Sequence, residues 1–268
     1  MKEIVKRLIN KCGYRISRYH QPAIYNKAFI KLQKLLTGVN DPVIFDVGAH
    51  HGLVSKTFRE LFATASIYAF EPFKDSFEIL KSNTKTDPGI RIFNFGLSDR
   101  EGPRSFYSNT NSGTNSLFAI DEASSEIWGQ GLLQSKAVIE AQFRTIDSVV
   151  QEMGISVIDI LKLDVQGAEA LVMAGASSTC RKKAVRLLYS EIITQPAYAG
   201  QNRFDKALAP FYDSGFDLYN IYNMDTTVEG RLRQVDAIFT RAVLIEKAVE
   251  VHRSDEYSRL DGTNEAER

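Results

Sequence analysis

The amino-acid sequence predicts a doubly wound α/β fold, a mostly parallel sheet with helices on both faces. Three observations carry the prediction. Seven short β-branched or aromatic runs, at 43–47, 66–70, 90–95, 158–163, 185–190, 216–221 and 235–240, mostly alternate with helical stretches. The first run ends in a glycine turn, Asp46-Val47-Gly48-Ala49-His50-His51-Gly52, that leads into a helical stretch at 53–62. The last two runs are separated only by a turn containing Asn223-Met224-Asp225, which predicts an antiparallel terminal hairpin.

Ahead of the sheet, residues 1–40 read as a helical extension of two short helices. Ile4, Val5, Leu8 and Ile9 recur at helical spacing, as do Phe29, Ile30, Leu32, Leu35 and Leu36. The first helix also carries Lys2, Lys6, Arg7, Lys11, Arg15 and Arg18. A basic amphipathic helix suits an anionic membrane face or, the preferred reading, packing on its own domain or on a second subunit, so a homo-oligomer through these helices is an expectation. The sheet domain is expected over 41–245 and a charged, frayed tail over 246–268. Between 98 and 148 the alternation breaks, and 108–131 is rich in Ser, Asn and Gly around the strand-like Ser105-Phe106-Tyr107 and Ala141-Gln142-Phe143-Arg144. A polar excursion of this length reads as a lid or binding loop, the alternative being a surface insertion.

Composition narrows the class. The 268 residues fit one large α/β domain or two small ones and are 44% apolar, enough for a buried core, and 33 basic residues balance 33 acidic ones, so no global field draws the chain to nucleic acid. Cys12 and Cys180 form no CxxC pair, which points away from a zinc site and a disulfide framework and toward a reducing compartment. No apolar run is long enough to span a bilayer, and the first residues lack a signal-peptide core. A cytoplasmic protein without membrane insertion is expected.

The glycine turn carries the chemistry. Gly48 and Gly52 let the backbone turn sharply and approach a ligand, as nucleotide-binding strand-to-helix turns do. The dinucleotide pattern GxGxxG is broken by His50 and Leu53, and the phosphate-binding GxxxxGK[ST] pattern is absent. A turn led by an acid, Asp46, suits a ligand with a cationic amino group and no phosphate, such as S-adenosylmethionine. The second strand ends in Glu71-Pro72, where a carboxylate can accept both ribose hydroxyls. Each acid alone also fits a helix cap; together, on adjacent strands at the switch point of the sheet, they favour the nucleotide.

On these residues the sequence resembles the FkbM-type methyltransferases. The segments are FDVGAHHG at 45–52, YAFEP at 68–72, Asn94-Phe95-Gly96-Leu97-Ser98-Asp99 with Gly102, Asn115-Ser116-Leu117, Thr145-Ile146-Asp147, LKLDVQGAE at 161–169, Gly175-Ala176 and Glu191. The resemblance implies the class I methyltransferase fold, S-adenosylmethionine as methyl donor, and O-methylation of a sugar or related polyhydroxylated metabolite. Cofactor contacts are accordingly expected from Asp46, Gly48, Ala49, His50, Gly52, Ser55, Glu71, Pro72, Leu97, Ser98 and Asp164. The family usually has Asn where His50 stands, often Glu at Gln166 and often Ala at Gly96.

Methyl transfer to oxygen needs an aligned hydroxyl and somewhere for its proton to go. Alignment alone is worth about 7 to 11 kcal/mol in the best intramolecular models. Asp164 and Glu191, at the ends of the fourth and fifth strands, are expected to share one crevice. Either acts as general base, or both hold a divalent cation such as Mg²⁺ that acidifies the hydroxyl. Asp164 as a helix cap and Glu191 as an ion-pair partner are the plainer alternatives. His51 is a further candidate base, unless both histidines simply start the helix. Asn115, Ser116, Trp128 and Gln166 are the expected acceptor-binding residues, a mixture of amides, hydroxyl and flat ring that suits carbohydrate. A non-sugar small molecule, a peptide or a lipid-linked intermediate is an alternative acceptor, and a non-catalytic binding module is the alternative from another class.

Overall fold

The computed structural model describes residues 27–128 and 133–241; the basic N-terminal helix and the charged tail expected from the sequence lie outside them. In chain order the strands are β1 (Val43–Val47), β2 (Ser66–Phe70), β3 (Ile90–Phe93), β4 (Gly96–Leu97), β5 (Gly102–Asn109), β6 (Ser135–Arg144), β7 (Ile158–Leu163), β8 (Val185–Ile193), β9 (Asp217–Thr226) and β10 (Leu232–Thr240). The helices are α1 (Lys27–Leu35), α2 (Leu53–Leu61), α3 (Lys74–Thr84), α4 (Ser125–Trp128), α5 (Ile146–Met153), α6 (Glu169–Ala174), α7 (Ser177–Arg181) and α8 (Phe204–Asp213).

Seven strands form one sheet in the order β3-β2-β1-β7-β8-β10-β9. The first five in that order run parallel, and β10 is antiparallel to both neighbours. This is the doubly wound sheet with its antiparallel terminal hairpin. Alternate side chains of a strand face opposite ways, so Phe45 and Val47 enter one apolar layer and Ile44 the other, and both layers are buried. Helix α1 closes the second layer through Phe29, whose ring meets Phe58 at 5.2 Å and Tyr189 at 5.4 Å. That helix packs on its own domain.

The terminal turn falls later than the sequence suggests. Strand β9 runs on to Thr226, and Thr227 N–H donates to Arg231 O at 2.7 Å across the true turn. Asn223, with φ 46°, sits instead at an irregularity in the β9–β10 register.

The polar excursion is folded. Strands β5 and β6 pair antiparallel, and β4 pairs parallel with β6, as a separate three-stranded sheet. Its tie to the main domain includes Gly175, where a Cβ would lie 2.0 Å from the Ser98 carbonyl oxygen. Next to it Asp147 caps α7, accepting from the Ser178 and Thr179 amides at 2.9 and 2.8 Å.

Candidate active site

The order of strands places β1 between β2 and β7, so chain direction around the sheet reverses there and a crevice opens beyond the strand ends. Gly48, φ 75°, ends β1 against β7: a Cβ would stand 1.9 Å from the Asp164 carbonyl oxygen, so only glycine lets the two strand ends meet. Its N–H and that of Ala49 both reach Phe70 O at 3.0 Å, turning the chain toward Glu71.

A cleft lies at this point. Gly48, His50, Glu71 and Pro72 form one wall and Asp164, Val165, Gln166 and Ala168 another. Leu97, Phe106 and Phe143 supply apolar surface, and a strap over 111–117 contributes Ser112, Gly113, Asn115 and Leu117. Its ionisable lining is Glu71, Asp164 and His50, with no Lys or Arg among the described residues. A lining that holds carboxylates but no Lys or Arg suits a positively charged ligand that carries no phosphate, so the residues present fit S-adenosylmethionine.

Glu71 is 6% exposed and takes the His50 and Phe73 amides on its two oxygens at 2.8 and 2.9 Å. Burial pushes its carboxyl up to about 7 despite those donors. His50 has φ 49°, the left-handed conformation that Asn, Asp and His tolerate best. Its Nε2 lies 2.8 Å from Ser112 Oγ, joining the glycine turn to the strap. Burial, then the neighbouring His51, lower this imidazole to about 4, so it is neutral near pH 7. His51 stacks on it at 3.6 Å and does not line the cleft.

Asp46 stands elsewhere than expected. It is fully buried, accepts from Ser55 Oγ at 2.6 Å and pairs with Lys162 Nζ at 2.9 Å, so its charge is matched inside the protein rather than by a ligand. Ala49, Gly52 and Ser55 likewise face the fold; a Cβ on Gly52 would meet Leu80 at 2.6 Å. Leu97 reaches the cleft but Ser98 does not, its hydroxyl donating to Asp99 at 2.9 Å beside Arg104.

Lys162 was hidden in the sequence among apolar neighbours. It is the one cation in Ile-Asp-Ile-Leu-Lys-Leu, a strand buried at every position, and it lies in register with Asp46 of β1. Its ammonium donates to Gly48 O at 2.8 Å and reaches Asp164 Oδ2 at 3.8 Å. Burial works against its charge, but Asp46 and Asp164 outweigh it and hold it above the usual lysine range.

Asp164 lines the cleft and Glu191 lies beside it, linked by one amide. Gln166 Nε2 donates to Asp164 Oδ1 at 2.8 Å and to Glu191 Oε2 at 2.7 Å. Gln234 Nε2 satisfies the other Glu191 oxygen at 2.8 Å. Burial first, then Asp164, Asp236 and Glu169, push Glu191 well above the carboxylate range. The expected Mg²⁺ bridge meets this amide: Gln166 occupies the place between the two acids, and among the described residues no group of three His, Cys, Asp or Glu side chains is arranged to hold a metal ion.

The acceptor residues divide. Asn115 lines the cleft, with Oδ1 held by Asn109 N–H at 2.7 Å. Ser116 is fully buried and donates to Gln166 O at 2.7 Å. Trp128 packs with Leu133, Ile193, Ala197 and Tyr198 outside the cleft lining, and its Nε1–H donates to Pro196 O at 2.8 Å, so ring and donor are both used internally. Tyr198 and Gln234, both absent from the sequence-based site, complete the polar network.

Residues 46–218 match the model of the methyltransferase FkbM domain. The chain belongs to the FkbM methyltransferase family. It is an S-adenosylmethionine-dependent methyltransferase, which sets aside the non-catalytic reading. The chain is similar to the 2-O-methyltransferase NoeI of Sinorhizobium fredii, 29% identical over 60% of this chain and 67% of that protein. The methyltransferase sdnD of Sordaria araneosa is 25% identical over 60% of this chain and 71% of its own length. The AMB antimetabolite synthetase AmbE of Pseudomonas aeruginosa is 29% identical over 71% of this chain but only 10% of its own. Among solved structures, the FkbM methyltransferase of Methylobacillus flagellatus superposes with a TM-score of 0.44 at 11% identity, over 76% of this chain and 47% of that one. Among the described residues of this FkbM methyltransferase no helix is long and apolar enough to cross a membrane.

Proposed function

We propose that this chain methylates a hydroxyl of a sugar or related polyhydroxylated metabolite. The observation that carries the reading is the placement of Asp164: its carboxylate lines the cleft that also holds Glu71 and Gly48, with Oδ1 held by Gln166 and Oδ2 3.8 Å from Lys162 Nζ. In this reading Glu71 accepts the ribose hydroxyls and the Gly48 turn, having no side chain, lets the backbone approach the cofactor. Bound S-adenosylmethionine supplies an electrophilic methyl on a sulfonium. Asp164 orients the attacking hydroxyl and takes its proton at Oδ2, a general-base role worth about 10² to 10⁴ in rate. The strap, Leu97 and Phe143 exclude water from the reacting atoms.

Support for oxygen as the acceptor comes from the name of NoeI, a 2-O-methyltransferase. Support for a polyhydroxylated acceptor comes from the resemblance and from the small polar groups of Ser112 and Asn115 in the lining. The test is transfer of isotopically labelled methyl from S-adenosylmethionine to a panel of sugar nucleotides, free sugars and polyols, run beside amines and carboxylic acids. Labelled methyl ether is the expected product. Transfer confined to nitrogen or carboxylate acceptors overturns the reading.

A further inference from the structure

Gln166 sits where an acceptor-binding side chain is expected, yet its polar atoms are committed to the protein. Both hydrogens of its Nε2 are spent, on Asp164 Oδ1 at 2.8 Å and Glu191 Oε2 at 2.7 Å. Its Oε1 accepts from the Tyr198 hydroxyl at 2.9 Å, and its backbone carbonyl accepts Ser116 Oγ–H at 2.7 Å. The amide has only one orientation that serves these partners, because carboxylates need its nitrogen and the phenol needs its oxygen. Burial, and then the Glu191 and Asp164 charges, raise the Tyr198 phenol, so it stays a donor.

The backbone at this point supports the same reading. Gln166 has φ 55° and Gly167 φ 92°, two successive left-handed residues. For a glutamine that conformation is strained and persists only where surrounding contacts over-determine it. What the strained turn achieves is to bring the carboxamide back between the end of β7 and the end of β8. The amide joins Asp164 to Glu191 on one side while Lys162 Nζ stands 3.8 Å from the other Asp164 oxygen, so the carboxylate is held from both sides.

We infer that Gln166 is a positioning residue, whose carboxamide fixes the Asp164 carboxylate against Glu191 at the face where the acceptor hydroxyl must arrive, while its carbonyl ties the strap at Ser116. Tyr198 is the second member of the device, since it orients the amide and also lies 2.8 Å from Thr114 O of the strap. The inference rests on the reading of Asp164 as the base.

The test compares Gln166→Ala, Gln166→Glu and Tyr198→Phe in the full chain. Gln166→Glu is the discriminating variant: it equals glutamine in size but carries one hydrogen at most, so it cannot donate to both acids as the amide does. With a hydroxyl acceptor from the labelled panel, both Gln166 variants should lower kcat about a hundredfold, the cost of misplacing a reacting group by about 1 Å, with acceptor KM and the S-adenosylhomocysteine Kd each within about threefold of wild type. Tyr198→Phe should fall about tenfold and add nothing to Gln166→Ala, because the two act as one unit. Crystal structures of wild type and Gln166→Ala with S-adenosylhomocysteine should show the Asp164 and Glu191 carboxylates moved apart in the variant. Near-wild-type kcat in Gln166→Glu, or loss of S-adenosylhomocysteine binding in step with kcat, overturns the inference. If the wild type methylates no hydroxyl, the acceptor reading fails, and the crystal structures alone decide: carboxylates staying within about 0.5 Å of their wild-type positions overturn it.

Discussion

Lys162 and Asp46 form an ion pair of 2.9 Å inside the sheet, with the side chains 4% and 0% exposed. Lys162 also donates to the Gly48 carbonyl, so the glycine turn that lines the cleft is anchored on a buried cation. Removing one member strands the other's charge in an apolar layer. Lys162→Met is therefore expected to lower folding stability by about 3 to 5 kcal/mol, measured by chemical denaturation, and Asp46→Leu combined with Lys162→Met to recover most of it. A double variant no more stable than the single one would show that the pair is not what holds the turn.

Glu71 sets a pH dependence whose sign can be worked out. Its carboxyl is raised to about 7 in the folded chain by burial, and in the proposed cofactor pose the ribose hydroxyls would donate to its ionised form. Affinity for S-adenosylhomocysteine should therefore tighten as pH rises through 7, about tenfold between pH 6 and pH 8 by calorimetry. The unliganded fold binds this proton more tightly than the unfolded chain does, so the group's contribution to stability declines as pH climbs from about 4.5 to about 7. Glu71→Gln should bind weakly at every pH and lose the slope. A slope that survives in this variant assigns the titration to another group.

Much of this architecture was legible in the sequence because its signals are local. Alternating apolar runs placed all seven strands of the main sheet, and the broken GxGxxG with Glu71 at the next strand end pointed to the strand ends where the cleft lies. What stayed hidden depends on register and on contacts between distant segments. Asp46 looked like a ligand because the sequence does not show that Lys162 lies opposite it on β7; a lone lysine in an otherwise apolar strand was the available signal. Ser116 and Trp128 looked like sugar contacts, but their donors are satisfied by Gln166 and Pro196 carbonyls 50 and 68 residues away. Tyr198 and Gln234 lay in segments with no motif at all, and only the folded chain brings them to Gln166 and Glu191.

His50 joins the glycine turn to the strap through Ser112, and its backbone needs a left-handed conformation. His50→Asn separates these duties, since asparagine accepts the backbone but is too short to reach Ser112. The variant should keep its stability within about 0.5 kcal/mol, while amide exchange over 111–117 and dissociation of S-adenosylhomocysteine each quicken by about tenfold. Unchanged exchange in the strap would mean that the His50 contact does not hold it closed.

Asp164 and the Gln166 amide lead to a paired expectation about base and metal. Asp164→Asn keeps a side chain that fits the same space but accepts no proton, so kcat should fall by about 10² to 10⁴ with S-adenosylhomocysteine affinity within about threefold. Exhaustive chelation of the wild type should leave methyl transfer within about twofold, because the Gln166 nitrogen already bridges the two carboxylates that a cation would need. Activity lost to chelation and restored by Mg²⁺ would require the amide to leave that position, and the role of Gln166 would then fall with it. An Asp164→Asn variant with full activity would move the base elsewhere in the cleft, to Glu71 or His50, the other ionisable groups that line it.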